Sequence, residues 1–182
     1  MKTTAHPLSR NLFLIGPMGV GKSTIGKRLA LRLHWTFKDS DQEIQQRTGA
    51  TIPLIFDLEG EEGFRKREKN VIAELVQQPR LVLATGGGAI LLPENREQLK
   101  QHGTIIYLRA SIDELLKRTA NSRNRPLLET PDPRARLEQL MRERAHLYES
   151  LADYIVETGQ RNISQVLKTI LDHLTEESLN DH

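Results

Sequence analysis

The chain has 182 residues and 37% hydrophobic content, enough for one domain with a full core but short of two. Its 26 lysines and arginines stand against 24 acids, a formal charge of +2, and with four Phe, three Tyr and one Trp they do not make the basic, aromatic-studded surface of a nucleic-acid binder. The chain has no cysteine, which excludes disulfides and thiolate metal sites. No apolar run reaches membrane-spanning length and residues 1–10 lack the apolar stretch of a secretory signal, so a cytoplasmic protein with no membrane or nucleic-acid partner is expected.

In chain order, the apolar run NLFLI at 11–15 reads as a buried parallel strand. Residues 16–23, GPMGVGKS, then give a glycine, four residues, and Gly21-Lys22-Ser23. That spacing is a phosphate cradle: glycines allow backbone N–H groups to converge on one anion, Lys22 adds a mobile positive charge, and the Ser23 hydroxyl can hold Mg²⁺. Ile25, Leu29 and Leu33 fall four apart, so a helix follows and lends the positive end of its dipole. Residues 36–41 form a second extended piece ending in Asp39 and Asp41. At a spacing of two these acids are expected to point the same way, and Asp41 can cap a helix closed by Gly49. A short helix over 53–60 and a longer one over 63–78 come next, the longer burying Phe64, Val71, Ile72, Leu75 and Val76.

A third strand over 81–84 runs into Thr85-Gly86-Gly87-Gly88, where missing side chains let a ligand approach the backbone. Pro93 opens a helix, residues 104–108 make a strand, and Ser111 with Glu114 forms a capping box for a helix ending at Arg118. Residues 119–131 are polar and broken by prolines, as in a mobile lid. Asp132-Pro133 starts a helix, 154–156 make a last strand, and Ile163, Val166, Leu167, Ile170, Leu171 and Leu174 mark a final amphipathic helix, frayed beyond Glu176. Alternating strands and helices imply an α/β fold, a three-layer α/β/α sandwich around a parallel sheet.

In such a sheet ligands collect at the carboxyl ends of the strands, where the cradle, the two aspartates and the triple glycine all lie. Arg144 shares a helical stripe with Leu137, Leu140, Met141 and Tyr148, so it must snorkel, find an acid, or face a cleft. Arg65 stands three residues before Glu68, with which it can simply pair, or it can grip a ligand carboxylate. Arg125 in the lid can close over transferring phosphate or lie in solvent. The cradle alone fits a metabolite kinase, one for gluconate included, or a GTP-dependent switch. Asp57-Leu58-Glu59-Gly60 mimics the switch element, but no buried strand precedes it and no Asn-Lys-x-Asp guanine reader is present.

Taken together, these segments resemble the shikimate kinase family. The likeness rests on the cradle through Thr24, Asp39-Ser40-Asp41, Gly63-Phe64-Arg65 with Glu68, Thr85 to Gly88, Arg125-Pro126-Leu127-Leu128, and Arg144-Ala145-His146-Leu147-Tyr148. It implies a P-loop kinase fold like that of nucleoside monophosphate kinases, with a substrate lobe over about 41–70 and a lid over about 119–132. It further implies that ATP and Mg²⁺ are used and that shikimate is phosphorylated on its 3-hydroxyl. By the same resemblance Gly19, Val20, Gly21, Lys22, Ser23 and Thr24 hold ATP, Arg118 lies near the nucleotide, and Arg161 sits in the adenine-side loop. Ser23 and Asp39 attend the metal. Asp41, Arg65, Arg144 and Gly86, Gly87, Gly88 hold the acceptor. Asp41 is the base, and Lys22 and Arg125 stabilise the transferring phosphate. Ile163 stands where some relatives have proline. A monomer is the expected state.

Overall fold

Five short runs become five parallel strands, each joined to the next by a helical crossover; the three central ones are apolar and buried on both faces, while the two at the sheet edges stay partly exposed. The computed structural model describes residues 10–121 and 126–180. The strands are β1 (Asn11–Ile15), β2 (Thr36–Asp39), β3 (Leu81–Ala84), β4 (Gly103–Arg109) and β5 (Tyr154–Glu157), in the sheet order β2-β3-β1-β4-β5. The helices are α1 (Lys22–Leu33), α2 (Ser40–Thr48), α3 (Ile52–Leu75), α4 (Pro93–His102), α5 (Ile112–Thr119), α6 (Pro133–Leu151) and α7 (Ile163–Asn180). After β1 the chain visits one side of the sheet, and after β3 it crosses to the other. The crevice beside the carboxyl end of β1 is therefore the switch point where ligands collect in such sheets.

Alternation along each strand divides the core in two. Leu12 and Leu14 of β1, Val82 of β3, and Ile106 and Leu108 of β4 face α1, α5 and α7. Phe13 and Ile15, Leu81 and Leu83, and Ile105 and Tyr107 face α2, α3 and α4. The three-layer sandwich expected from the sequence is thus observed. Helix α6 belongs to both layers: Leu137 and Leu140 pack in the first core, Tyr148 and Leu151 in the second, and Arg144 falls between them.

Several boundaries differ from the sequence reading. The two helices expected over 53–60 and 63–78 are present as the two arms of α3, which meet at a kink at Gly60 (φ 68°), a left-handed conformation that favours glycine; the second arm ends at Leu75, short of Gln78. Asp57 to Glu59 is helical rather than a switch loop. The cap of α2 is Asp39, not Asp41: its carboxylate accepts from the Asp41 and Gln42 N–H groups at 2.9 and 3.1 Å. Strand β2 stops at Asp39, so Asp41 lies in the first helical turn and the two acids do not share one extended face. The box at α5 has its Ser111 half, with the hydroxyl accepting from Glu114 N–H at 3.3 Å, while the Glu114 carboxylate lies 3.6 Å from Arg118. Helix α7 runs to Asn180, four residues past the expected fraying point.

Candidate active site

The cradle is built from backbone. Gly16, Gly19 and Gly21 all have positive φ, and Gly21 (φ 103°) is the cap of α1 without offering a side chain. No capping side chain therefore competes for the first-turn N–H groups, which with the helix dipole make an anion site. A side chain on Gly16 would put its Cβ 2.4 Å from the Leu108 carbonyl oxygen, so the loop is also pinned against β4. Lys22 Nζ donates to the carbonyls of Gly16 and Pro17 at 2.7 and 2.8 Å, which folds it back over the loop it serves. Beside it the Ser23 hydroxyl donates to Asp39 Oδ2 in a short contact. One hydroxyl and one carboxylate oxygen suit a hard cation such as Mg²⁺, which takes oxygen ligands and keeps part of its hydration shell.

Around this loop lies a cleft of about 640 Å³ that reaches from Lys22 and Ser23 to Arg118, Thr158, Arg161 and Ile163. Arg118 on α5 donates to the Val20 carbonyl and to Thr158 Oγ1 and O, all at 3.2 Å, and Thr158 Oγ1 reaches Val20 O as well. These bonds tie the loop after β5 to the cradle. Arg161 borders the outer end of the cleft and contacts Thr169 Oγ1 at 3.4 Å. Arg125 lies outside the described residues, as does the 122–125 segment of the expected lid; residues Pro126–Leu128 make a 3₁₀ turn.

A second, smaller cavity of about 60 Å³ adjoins the first, and both are lined by Asp41, Ile52, Gly86 and Gly87. Two buried arginines face it from different elements: Arg65 on α3 and Arg144 on α6. Arg65 Nη1 pairs with Glu68 at 2.8 Å and Nη2 with Glu61 at 3.2 Å, and its guanidinium lies over the Phe64 ring at 5.1 Å. Its Nε and the Nε of Arg144 are buried with no hydrogen-bond partner among the described residues. Unsatisfied buried donors of this kind are costly unless a ligand answers them.

The triple glycine explains itself by what it makes room for. A Cβ on Gly88 would sit 2.2 Å from Arg65 Nη2, and one on Gly86 would sit 2.7 Å from Glu68 Oε2 and 2.8 Å from Asp41 Oδ1. The sequence suggests room for ligand; the room is also taken by the protein's own charged groups. The Gly86 N–H is already bonded to Ser40 Oγ at 3.0 Å, and the Gly87 carbonyl accepts a short hydrogen bond from the Tyr148 hydroxyl. Burial pushes that phenol up to about 12, so it is a neutral donor throughout the physiological range. Burial also pushes the Glu68 carboxyl up to about 7; Arg65 opposes this and Asp41 adds to it.

The structure therefore places Lys22, Ser23, Asp39, Asp41 and the two arginines around one pair of joined cavities. Thr158 and Phe56 line them too and carry no signal in the sequence pattern, and Met18 of the cradle reaches the smaller cavity. Phe64, a core residue, doubles as the platform under Arg65. Among the described residues no helix is long and apolar enough to cross a membrane.

Residues 18–175 match the family model described as Shikimate kinase. A shikimate kinase of Methylococcus capsulatus is 53% identical over 163 residues, 90% of this chain and 91% of that protein. The structure of the Acinetobacter baumannii shikimate kinase in complex with shikimate superposes with a TM-score of 0.91 at 46% identity, covering 94% of this chain and 96% of that one. A gluconokinase from Sinorhizobium meliloti has the same fold (TM-score 0.61, 95% of each chain) but only 14% identity, a likeness of architecture alone.

Proposed function

Because the chain belongs to the shikimate kinase family, we propose that it transfers the terminal phosphoryl group of ATP to the 3-hydroxyl of shikimate, giving shikimate 3-phosphate and ADP. One observation carries this reading: a backbone phosphate cradle and a pocket with two buried arginines open into each other across Asp41, Gly86 and Gly87. A cradle alone would suit many nucleotide users. The paired guanidinium groups add a demand for a small acid.

In this mechanism the cradle N–H groups and Lys22 hold the phosphates of ATP, and Arg118 and Arg161 border the nucleotide's far end. Arg65 and Arg144 grip the shikimate carboxylate through donors that are otherwise unanswered, and the Gly86-Gly87-Gly88 backbone walls the ring. Asp41, at the seam between the cavities, accepts the proton of the 3-hydroxyl as its oxygen bonds to the terminal phosphorus and the bond to ADP breaks. Lys22 neutralises charge developing on the transferring group, joined by Arg125 when the lid closes. Ser23 and Asp39 would hold Mg²⁺, which when bound offsets phosphate charge. Little covalent chemistry is asked of the protein; alignment and charge do the work. The lobe over about 41–70 brings in Asp41 and Arg65, the enzyme acts as a cytoplasmic monomer, and its product feeds aromatic amino-acid synthesis.

A coupled assay of ADP release tests this. ATP turnover is expected to rise on adding shikimate and to stay at background with gluconate; equal rates with and without shikimate would overturn the assignment.

A further inference from the structure

The feature left unused by that mechanism is Glu68. Its side chain is fully buried, it lines the small cavity, and its Oε2 has no hydrogen-bond partner among the described residues while Oε1 is held by Arg65. The charged groups facing it are Arg65 on its own helix, Asp41 on α2 and Arg144 on α6; Glu61 sits further out on the far arm of Arg65. Tyr148, on α6, is neutral. Within the cavity two buried cations are thus matched by two carboxylates, Glu68 and Asp41, with the half-exposed Glu61 paired to Arg65 outside it.

An anionic substrate disturbs this balance, because its carboxylate needs the same guanidinium groups that hold Glu68. A third negative charge in a site this dry is expensive unless one carboxyl becomes neutral. Asp41 must stay ionised to receive the hydroxyl proton, whereas Glu68 has an unsatisfied oxygen available to carry one. Resting on the functional reading above, we propose that shikimate binds with uptake of a proton from solvent onto Glu68, so that the enzyme takes its acid substrate in an electrically compensated form. The tendency of the Glu68 carboxyl to hold its proton up to about pH 7 even before ligand arrives agrees with this. Glu68 is then a positioning residue: neutralised, it releases part of its hold on Arg65 and lets that arginine turn to the ligand.

Isothermal titration of shikimate into the full chain, in buffers of the same pH but different ionisation enthalpy, tests the idea. At pH 7.5 the observed heat is expected to vary linearly with buffer ionisation enthalpy, with a slope showing proton uptake, and Glu68→Gln is expected to abolish the slope. Should that variant fail to fold, two measurements on the unaltered protein decide. The infrared difference spectrum should gain a protonated-carboxyl C=O band on binding, and KM for shikimate should rise above pH 7 by up to about tenfold per pH unit while kcat does not follow it. A flat buffer dependence with clear binding overturns the inference alone, as does a slope that survives in Glu68→Gln. If shikimate neither binds nor stimulates ATP turnover, the functional reading falls and takes the inference with it.

Discussion

The phosphate cradle and the acid pocket are neighbours built on opposite plans. The cradle is made of consecutive residues, presents main-chain N–H groups, and owes its shape to glycines with positive φ. The pocket is assembled from α3, α6 and the turn after β3, and presents side chains that are buried, charged and partly unsatisfied. Backbone groups positioned by a helix end cost little to keep in place. Two buried guanidinium groups must be held by partners, and those partners then compete with the ligand. A triphosphate site can therefore be local and general, while a selective acid site draws on the tertiary fold.

Substitutions can set the two plans apart. Lys22→Ala is expected to lower kcat by about 10²–10³-fold with shikimate affinity retained, measured by steady-state kinetics alongside titration of shikimate. Gly88→Ala drives a methyl group into Arg65 and is expected to cost about 10²-fold in kcat/KM for shikimate, with the KM for ATP unchanged. If ATP is affected equally, the two cavities are not separable as described. Arg144→Ala removes one charge-assisted grip, roughly 1.5–3 kcal/mol, and should raise KM for shikimate by about ten- to a hundredfold with kcat less altered.

On the cradle side, Asp39→Ala removes the α2 cap and should lower stability by about 1 kcal/mol in chemical denaturation; Asp39→Asn should restore most of that but not the Mg²⁺ dependence. The last test concerns slope rather than size. Folded Glu68 holds its proton to about pH 7, whereas the unfolded carboxyl releases it near the ordinary 4.5. Between those values the folded state binds more protons, so its stability falls as pH rises. Glu68→Gln should flatten that part of the denaturation profile.

Legibility followed the same division. The cradle could be read directly, since eight adjacent residues contain its geometry and the flanking strand and helix announce themselves by period. Arg144 is visible as a charge on an apolar stripe, but nothing in the spacing says that it lines the same cavity as Arg65, 79 positions earlier in the chain; only the family resemblance joins them. The strand–helix junction is ambiguous in sequence because either of two aspartates can cap. The choice fell to Asp39, where β2 ends its pairing with Ala84 of β3. Gly60 does separate two helical arms, as its place in the sequence suggests; what the sequence does not show is that both arms pack in one core through Ile55 and Phe64. Thr158 was invisible: a lone threonine after a strand takes its meaning from Val20 and Arg118, both far away in sequence.

Helix α6 threads from one core to the other and carries Arg144 at the crossing. Its seating is thus set twice over, by Leu137 and Leu140 on one face of the sheet and by Tyr148 and Leu151 on the other. A void opened in either layer, at a residue that never meets substrate, would tilt the same rod and shift the guanidinium at its middle. On the proposed function, selectivity for the acid is then hostage to packing quality on both sides of the molecule.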